Sequence, residues 1–137
     1  MHMRKNLAIW IFVIVSLFIL QKSASSQTLY FCEGVTDNGK PITQSSTFNI
    51  PSGGGYFYFL VKLPYEVGCY SVDYIIYKEN SRGKMVYNTT ISHSSLETNW
   101  VWFYKKVTFY EDGYYRVDVV DCYSNTLTSS YVTINYQ

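Results

Sequence analysis

Charge is scarce in this sequence: only 15% of the 137 residues are charged, and their formal sum is +1 at pH 7. Three of the bases, Arg4, Lys5 and Lys22, belong to an N-terminal leader, so residues 27–137 carry 8 basic against 10 acidic groups. A balance near −2 gives nucleic acid or an anionic membrane surface no electrostatic handle. Histidine is scarcer still. His93 is the sole imidazole after residue 26, in a polar run with Ser92, Ser94 and Ser95. Neighbours in sequence do not assemble a catalytic triad, and no Gly-x-Ser-x-Gly elbow occurs. One histidine and at most one unpaired thiol are too few ligands for zinc, so neither metal nor cofactor is expected. Cys32 has no base nominated beside it, and Glu111 and Asp112 read as corner residues rather than a glycosidase pair. Helical periodicity is missing too, which leaves strands as the building material.

What is present begins with an address. Arg4 and Lys5 precede an apolar run from Leu7 to Leu20, 14 residues long, which ends at Gln21-Lys22. That run falls short of the roughly 20 residues a membrane-spanning helix requires, so a cleaved secretory signal is favoured over an anchor. Ala24 and Ser26 supply the small residues before a cut at Gln27, with Ser25 as second choice. A lipoprotein reading fails because Phe31, not a small residue, precedes Cys32. The expectation is a signal peptide at 1–26 and one domain at 27–137, secreted to an extracellular or periplasmic space with no stable membrane insertion after cleavage.

Cys32, Cys69 and Cys122 make an odd set for an oxidising compartment. Loop entropy does not choose among the three pairings, since each closure is worth roughly 4 kcal/mol. All fifteen tyrosines follow residue 26. Tyrosine suits a pleated sheet, combining an apolar ring with a hydroxyl that tolerates water.

Strands separated by turn signals run through the rest. Gln27 to Val35 is a first strand, Thr36 to Pro41 a solvated turn rather than a calcium loop, and Ser46 to Ile50 a brief edge strand. In 56–63, Phe57, Phe59, Val61 and Leu63 share the core face, with Tyr56, Tyr58, Leu60 and Lys62 opposite. A hairpin joins 70–78 to 84–91, where Asn88-Thr89-Thr90 matches the N-glycosylation pattern. The stretch Asn99 to Asp121 is a long strand, a corner at Glu111-Asp112-Gly113, and a second strand. In it Val101, Phe103, Val107 and Phe109 alternate with Trp100, Trp102, Tyr104 and Lys106. Asp73 and Arg116 are expected to pair across strands, and 126–136 is the final strand. Seven or eight strands of this kind make an all-β antiparallel sandwich.

Glu111-Asp112-Gly113-Tyr114-Tyr115-Arg116-Val117 resembles the corner before strand F of immunoglobulin-like and fibronectin-type-III-like domains, and the strand count extends the likeness to 28–136. The chain resembles small secreted bacterial sandwiches of this kind, whose functions are mostly unassigned. The resemblance gives Gly113 and Tyr115 the corner role, the Tyr115 hydroxyl bonding back to backbone. Antibody domains place cysteine where Val117 stands, and 56–63 holds none, so their inter-sheet disulfide is not formed here. The implied topology sets 70–78 beside 114–121. It therefore pairs Cys69 with Cys122 and leaves Cys32 free or linked to a second chain as a dimer.

The same topology makes 56–63 and 99–110 neighbours, strands B and E of that fold. Tyr56, Tyr58, Trp100, Trp102 and Tyr104 then point outward together, and exposed aromatic groups of this size mark binding surfaces. Flat rings suit a carbohydrate, and tyrosine and tryptophan also anchor a protein surface. The competing reading reverses the faces or covers the stripe. The function expected is thus a secreted noncatalytic binding module for glycan or protein, with a purely structural accessory role as the alternative and a hydrolase the weakest reading.

Overall fold

The computed structural model describes residues 27–137, and the expected leader lies outside the described residues. Nine strands and no helix occur among the described residues, arranged as a two-layer β-sandwich. One sheet contains β1 (Thr28–Val35), β2 (Pro41–Gln44), β4 (Gly55–Lys62) and β7 (Trp102–Phe109), in the order β2-β1-β4-β7. The other contains β3 (Thr47–Ile50), β5 (Val72–Glu79), β6 (Met85–His93), β8 (Gly113–Val120) and β9 (Thr126–Tyr136), in the order β3-β9-β8-β5-β6.

Two expectations about the strands need correction. β3 runs parallel to β9, so the second sheet is mixed rather than wholly antiparallel. The parallel pair arises because the chain crosses between sheets at Ser45-Ser46. There the Ser45 hydroxyl donates to the Thr47 carbonyl and accepts from the Thr47 amide, at 2.8 and 3.0 Å, and the Ser46 carbonyl accepts from the Thr133 amide at 2.8 Å. The second correction is β2, four residues too short to show a period, which raises the strand count to nine.

The core follows from alternation. Phe57, Phe59 and Val61 of β4 face inward with Leu29 and Phe31 of β1 and Phe103 and Val107 of β7, and all are buried. Their rings interlock: Phe57 stacks on Phe48 at 4.1 Å and on Phe109 at 5.1 Å. Phe59 meets Tyr74 of the opposite sheet edge-on at 5.3 Å, one of the geometries that aromatic quadrupoles favour. From β5, β8 and β9 come Val72, Ile76, Val117, Val119, Val132 and Ile134. Burying side chains of this size stabilises by about 1.5–3 kcal/mol each before chain entropy is set against it.

The two sides of the sandwich differ. On one, Ser130 Oγ donates to the Leu29 carbonyl at 2.9 Å and Thr128 Oγ1 to the Gln27 carbonyl at 3.4 Å, so β9 stitches down the edge of β1. On the other, β6 and β7 are the free edges of their sheets and do not pair. Lys105 of β7 occupies a core-facing position opposite Phe59, half-buried between Phe103 and Val107. An inward lysine on an edge strand discourages edge-to-edge pairing with another chain.

A disulfide joins Cys69, just before β5, to Cys122, just after β8, with Cα atoms 5.9 Å apart. Those strand ends are neighbours, Asp73 lying opposite Val120. Arg116 does not reach Asp73: the register sets it opposite Tyr77, with the guanidinium 4.2 Å from that ring and 3.2 Å from Asp118. Asp73 instead accepts from the Ser92 hydroxyl at 2.8 Å. At the corner Gly113 has φ +149, a conformation L side chains rarely adopt, and the Tyr115 hydroxyl donates to the Glu111 carbonyl at 2.9 Å.

Candidate functional site

Four of the five aromatic residues expected to gather on the outer face of β4 and β7 form a continuous row. Tyr56 meets Tyr58 at 6.3 Å, Tyr58 meets Tyr104 at 5.9 Å, and Tyr104 lies nearly parallel to Trp102 at 6.3 Å. The register explains the diagonal, because β4 and β7 are antiparallel neighbours with Tyr58 opposite Lys106 and Leu60 opposite Tyr104. Tyr56 and Tyr104 are 58% and 48% exposed, while Tyr58 and Trp102 are half-buried. The rings do not form one flat plane: the Tyr56–Tyr58 and Tyr58–Tyr104 contacts are edge-on, at 88° and 64°. Lys106 caps one end, its ammonium 3.8 Å from the Tyr56 centroid.

The other end is capped by backbone. Beyond Cys32, β1 parts from β4 and continues with β2 as a hairpin whose turn brings Gly39 onto the Trp102 indole. A Cβ on Gly39 would stand 2.6 Å from Trp102 Cδ2, and its φ is +79, so only glycine fits both the turn and the approach. Under this hairpin, Cys32 and Leu60 are 0% exposed although alternation places both on the outer face. Cys32 is the one cysteine outside the disulfide, its Sγ 3.8 Å from the Tyr58 carbonyl, and burial pushes its thiol above the ordinary value.

Trp100 does not join the row. β7 starts at Trp102, because the preceding segment bonds to the 63–70 connection instead of to a neighbouring strand. The Leu63 amide donates to the Val101 carbonyl, Val67 to Trp100 and Gly68 to Thr98, each at 2.8 Å, and Leu96 donates to the Tyr70 carbonyl at 3.0 Å. Val101, expected in the core, is therefore 43% exposed. Trp100, itself 39% exposed, borders a cleft of about 710 Å³ where β6 ends and β7 begins.

His93, at the end of β6, closes that cleft from the other sheet. Its Nδ1 lies 3.0 Å from the buried Tyr74 hydroxyl, and its ring stacks on Tyr74 and meets Phe103 edge-on. Burial, then the nearby Lys105 ammonium, lowers the His93 pKa to about 4, so the imidazole is neutral at pH 7. Burial likewise raises the Tyr74 phenol well above its ordinary value, which keeps it protonated. Among the described residues, no group of three or more His, Cys, Asp or Glu side chains is placed to hold a metal ion.

Asn88 is exposed on edge strand β6, at the irregularity where Ile76 pairs with Thr89 and Tyr77 with Tyr87. A second aromatic face, not anticipated from the sequence, covers the outside of the five-stranded sheet. Tyr87 meets Tyr77 at 6.3 Å, Arg116 lies over Tyr77, and Tyr114 stacks with Tyr131 at 5.5 Å. Its signal was present in the outward positions of those strands. Comparison with known proteins returns no matching family model and no matching curated protein.

Proposed function

We propose that the chain is an exported immunoglobulin-like sandwich that acts as a noncatalytic binding module, recognising a glycan through the aromatic row on β4 and β7. The strand order supports the fold assignment: β1, β4 and β7 share one sheet and β5, β8 and β9 the other, as strands A, B, E and C, F, G do in that fold. β6 joins β5 rather than β7, a departure from the constant-type arrangement. The disulfide suits an oxidising compartment, in keeping with the signal-like leader. The observation that carries the binding role is the unbroken contact from Tyr56 through Tyr58 and Tyr104 to Trp102, with its two most exposed rings open to solvent.

A protein partner is the second reading, supported by the edge-on contacts at Tyr58, which leave the row without a single flat face. Glycan-array binding of the purified chain, compared with Tyr104→Ala, separates the readings. Loss of about two- to tenfold in affinity for an oligosaccharide, with an unchanged melting temperature, supports the glycan reading; one well-placed ring contributes about 0.5–1.5 kcal/mol. Binding that survives Tyr104→Ala and Tyr56→Ala together removes the row from function. A chain that binds no glycan and captures no protein through this face is a structural accessory.

A further inference from the structure

The cleft between β6 and β7 adjoins the aromatic row but differs from it in kind. Trp102 and Tyr104 belong to both, so a molecule lying along the row arrives at the cleft mouth. The row is aromatic throughout, whereas the cleft is a hollow with rings contributed by the β7 side and His93 and Ser94 by the β6 side. Asn99 adds an amide. No lining residue carries a charge at neutral pH, since the imidazole is neutral there. The Tyr74 bond occupies His93 Nδ1 and leaves Nε2 as the imidazole nitrogen for another partner.

The wall is also preorganised. Leu96, 2% exposed, anchors the 94–101 segment, and four backbone hydrogen bonds tie that segment to the 63–70 connection. Ser95, beside the cleft, holds φ at +66, a conformation a serine keeps only when its surroundings impose it. A wall fixed before binding spares the ordering entropy that a loose loop would lose. The volume, about 710 Å³, lies within the range of small-molecule sites.

From this geometry we infer that the cleft is a subsite for one end of an uncharged oligosaccharide, with Trp100 against the CH face of the sugar, the rim of Trp102 beside it, and Ser94, Asn99 and His93 bonding its hydroxyls. A cationic ligand finds no counter-charge there, an anionic one meets only the half-buried Lys105 near His93 and outside the lining, and a purely apolar one would strand the polar side. The inference rests on the glycan reading of the row and adds the ligand's charge class and the place where its end is held.

The two tryptophans after residue 26 both line the cleft and Trp102 also belongs to the row, so intrinsic fluorescence reports binding at either and the variants separate the two. Purified chain is titrated with cellotetraose, chitotetraose, xylotetraose and laminaritetraose as neutral probes, and with tetragalacturonate as the acidic one. At least one neutral probe shifts the emission and the acidic probe does not. Trp100→Ala weakens that binding tenfold or more, measured by calorimetry. Ser94→Trp, which fills the cleft from an exposed position without removing any packing, does the same. Wild-type affinity in both variants, or preference for the acidic probe, overturns the subsite. If Tyr56→Ala weakens binding while Trp100→Ala and Ser94→Trp do not, the row stands and the cleft falls; the reverse result keeps the cleft and removes the row. Silence toward every probe overturns both.

Discussion

Removal of the Cys69–Cys122 bridge tests how much of the stability comes from constraint on the unfolded chain. The bridge spans 53 residues in sequence and holds together ends of β5 and β8 that the sheet already pairs. Its loss therefore does little to the folded contacts; Cys122 is exposed, and a Cys69→Ala change leaves only a small void. The unfolded chain gains most. For a loop of this length the chain-entropy expression gives about 4 kcal/mol, against a typical domain stability of about 5–15 kcal/mol. The comparison needs a Cys32→Ala background, because unfolding exposes that thiol and its thiolate would attack the disulfide. In that background Cys69→Ala/Cys122→Ala should unfold at a urea midpoint lower by about 2–3 M, taking a slope near 1.5 kcal/mol/M, and the slope should rise as the unfolded state expands. A midpoint shift under about 1 M with an unchanged slope would refute the reasoning, since it would mean that the bridge does not restrict the denatured ensemble.

Acid should weaken the fold through His93. The unfolded imidazole takes its proton near 6.5 and the folded one only near 4, so the unfolded state binds more protons in between; stability is intact above 6.5 and declines as pH falls through that window. Discounted for partial exposure, the loss is about 1–2 kcal/mol, and urea midpoints across the window should fall less in His93→Phe than in the wild type. Gly39→Ala should cost about 2 kcal/mol, from the Trp102 clash and the left-handed φ, and should speed Ellman labelling of Cys32 at least tenfold; an unchanged labelling rate would show that the hairpin is not the seal. Tyr115→Phe deletes one bond to the Glu111 carbonyl and should lower the melting temperature by about 4 °C, read by circular dichroism; an unchanged melting temperature would show that the corner does not rely on this bond.

Alternation made the inner faces of β4 and β8 legible, since Phe57, Phe59 and Val61, and Tyr115, Val117 and Val119, carry a two-residue period that only a half-buried strand satisfies. It failed at Leu60 and Cys32, where the same period marks an outer face that the β1–β2 hairpin then covers. That cover depends on one glycine meeting one indole across 63 positions of sequence, a relation no local pattern encodes. Val101 misled for a related reason: its neighbours suit a strand, but the 63–70 connection captures its carbonyl first. Arg116 paired with Asp118 because register, which sequence specifies weakly between polar positions, set Tyr77 rather than Asp73 across from it. The Cys69–Cys122 bond was accessible only through the topology that the corner motif suggested; composition and loop entropy left all three pairings equal.

The position of β9 dictates when the molecule can finish folding. Residues 126–136 lie between β3 and β8 and also fasten β1 through Ser130 and Thr128, so both layers wait for them. A chain that emerges from the ribosome from its N-terminus onward has its earlier strands out, unlatched, until this segment follows. Closure then joins contacts about a hundred residues apart in a single late event, the kind of long-range step that makes folding slow. Until that moment the two layers lack their clasp, and afterwards they are held shut from the last strand to the first.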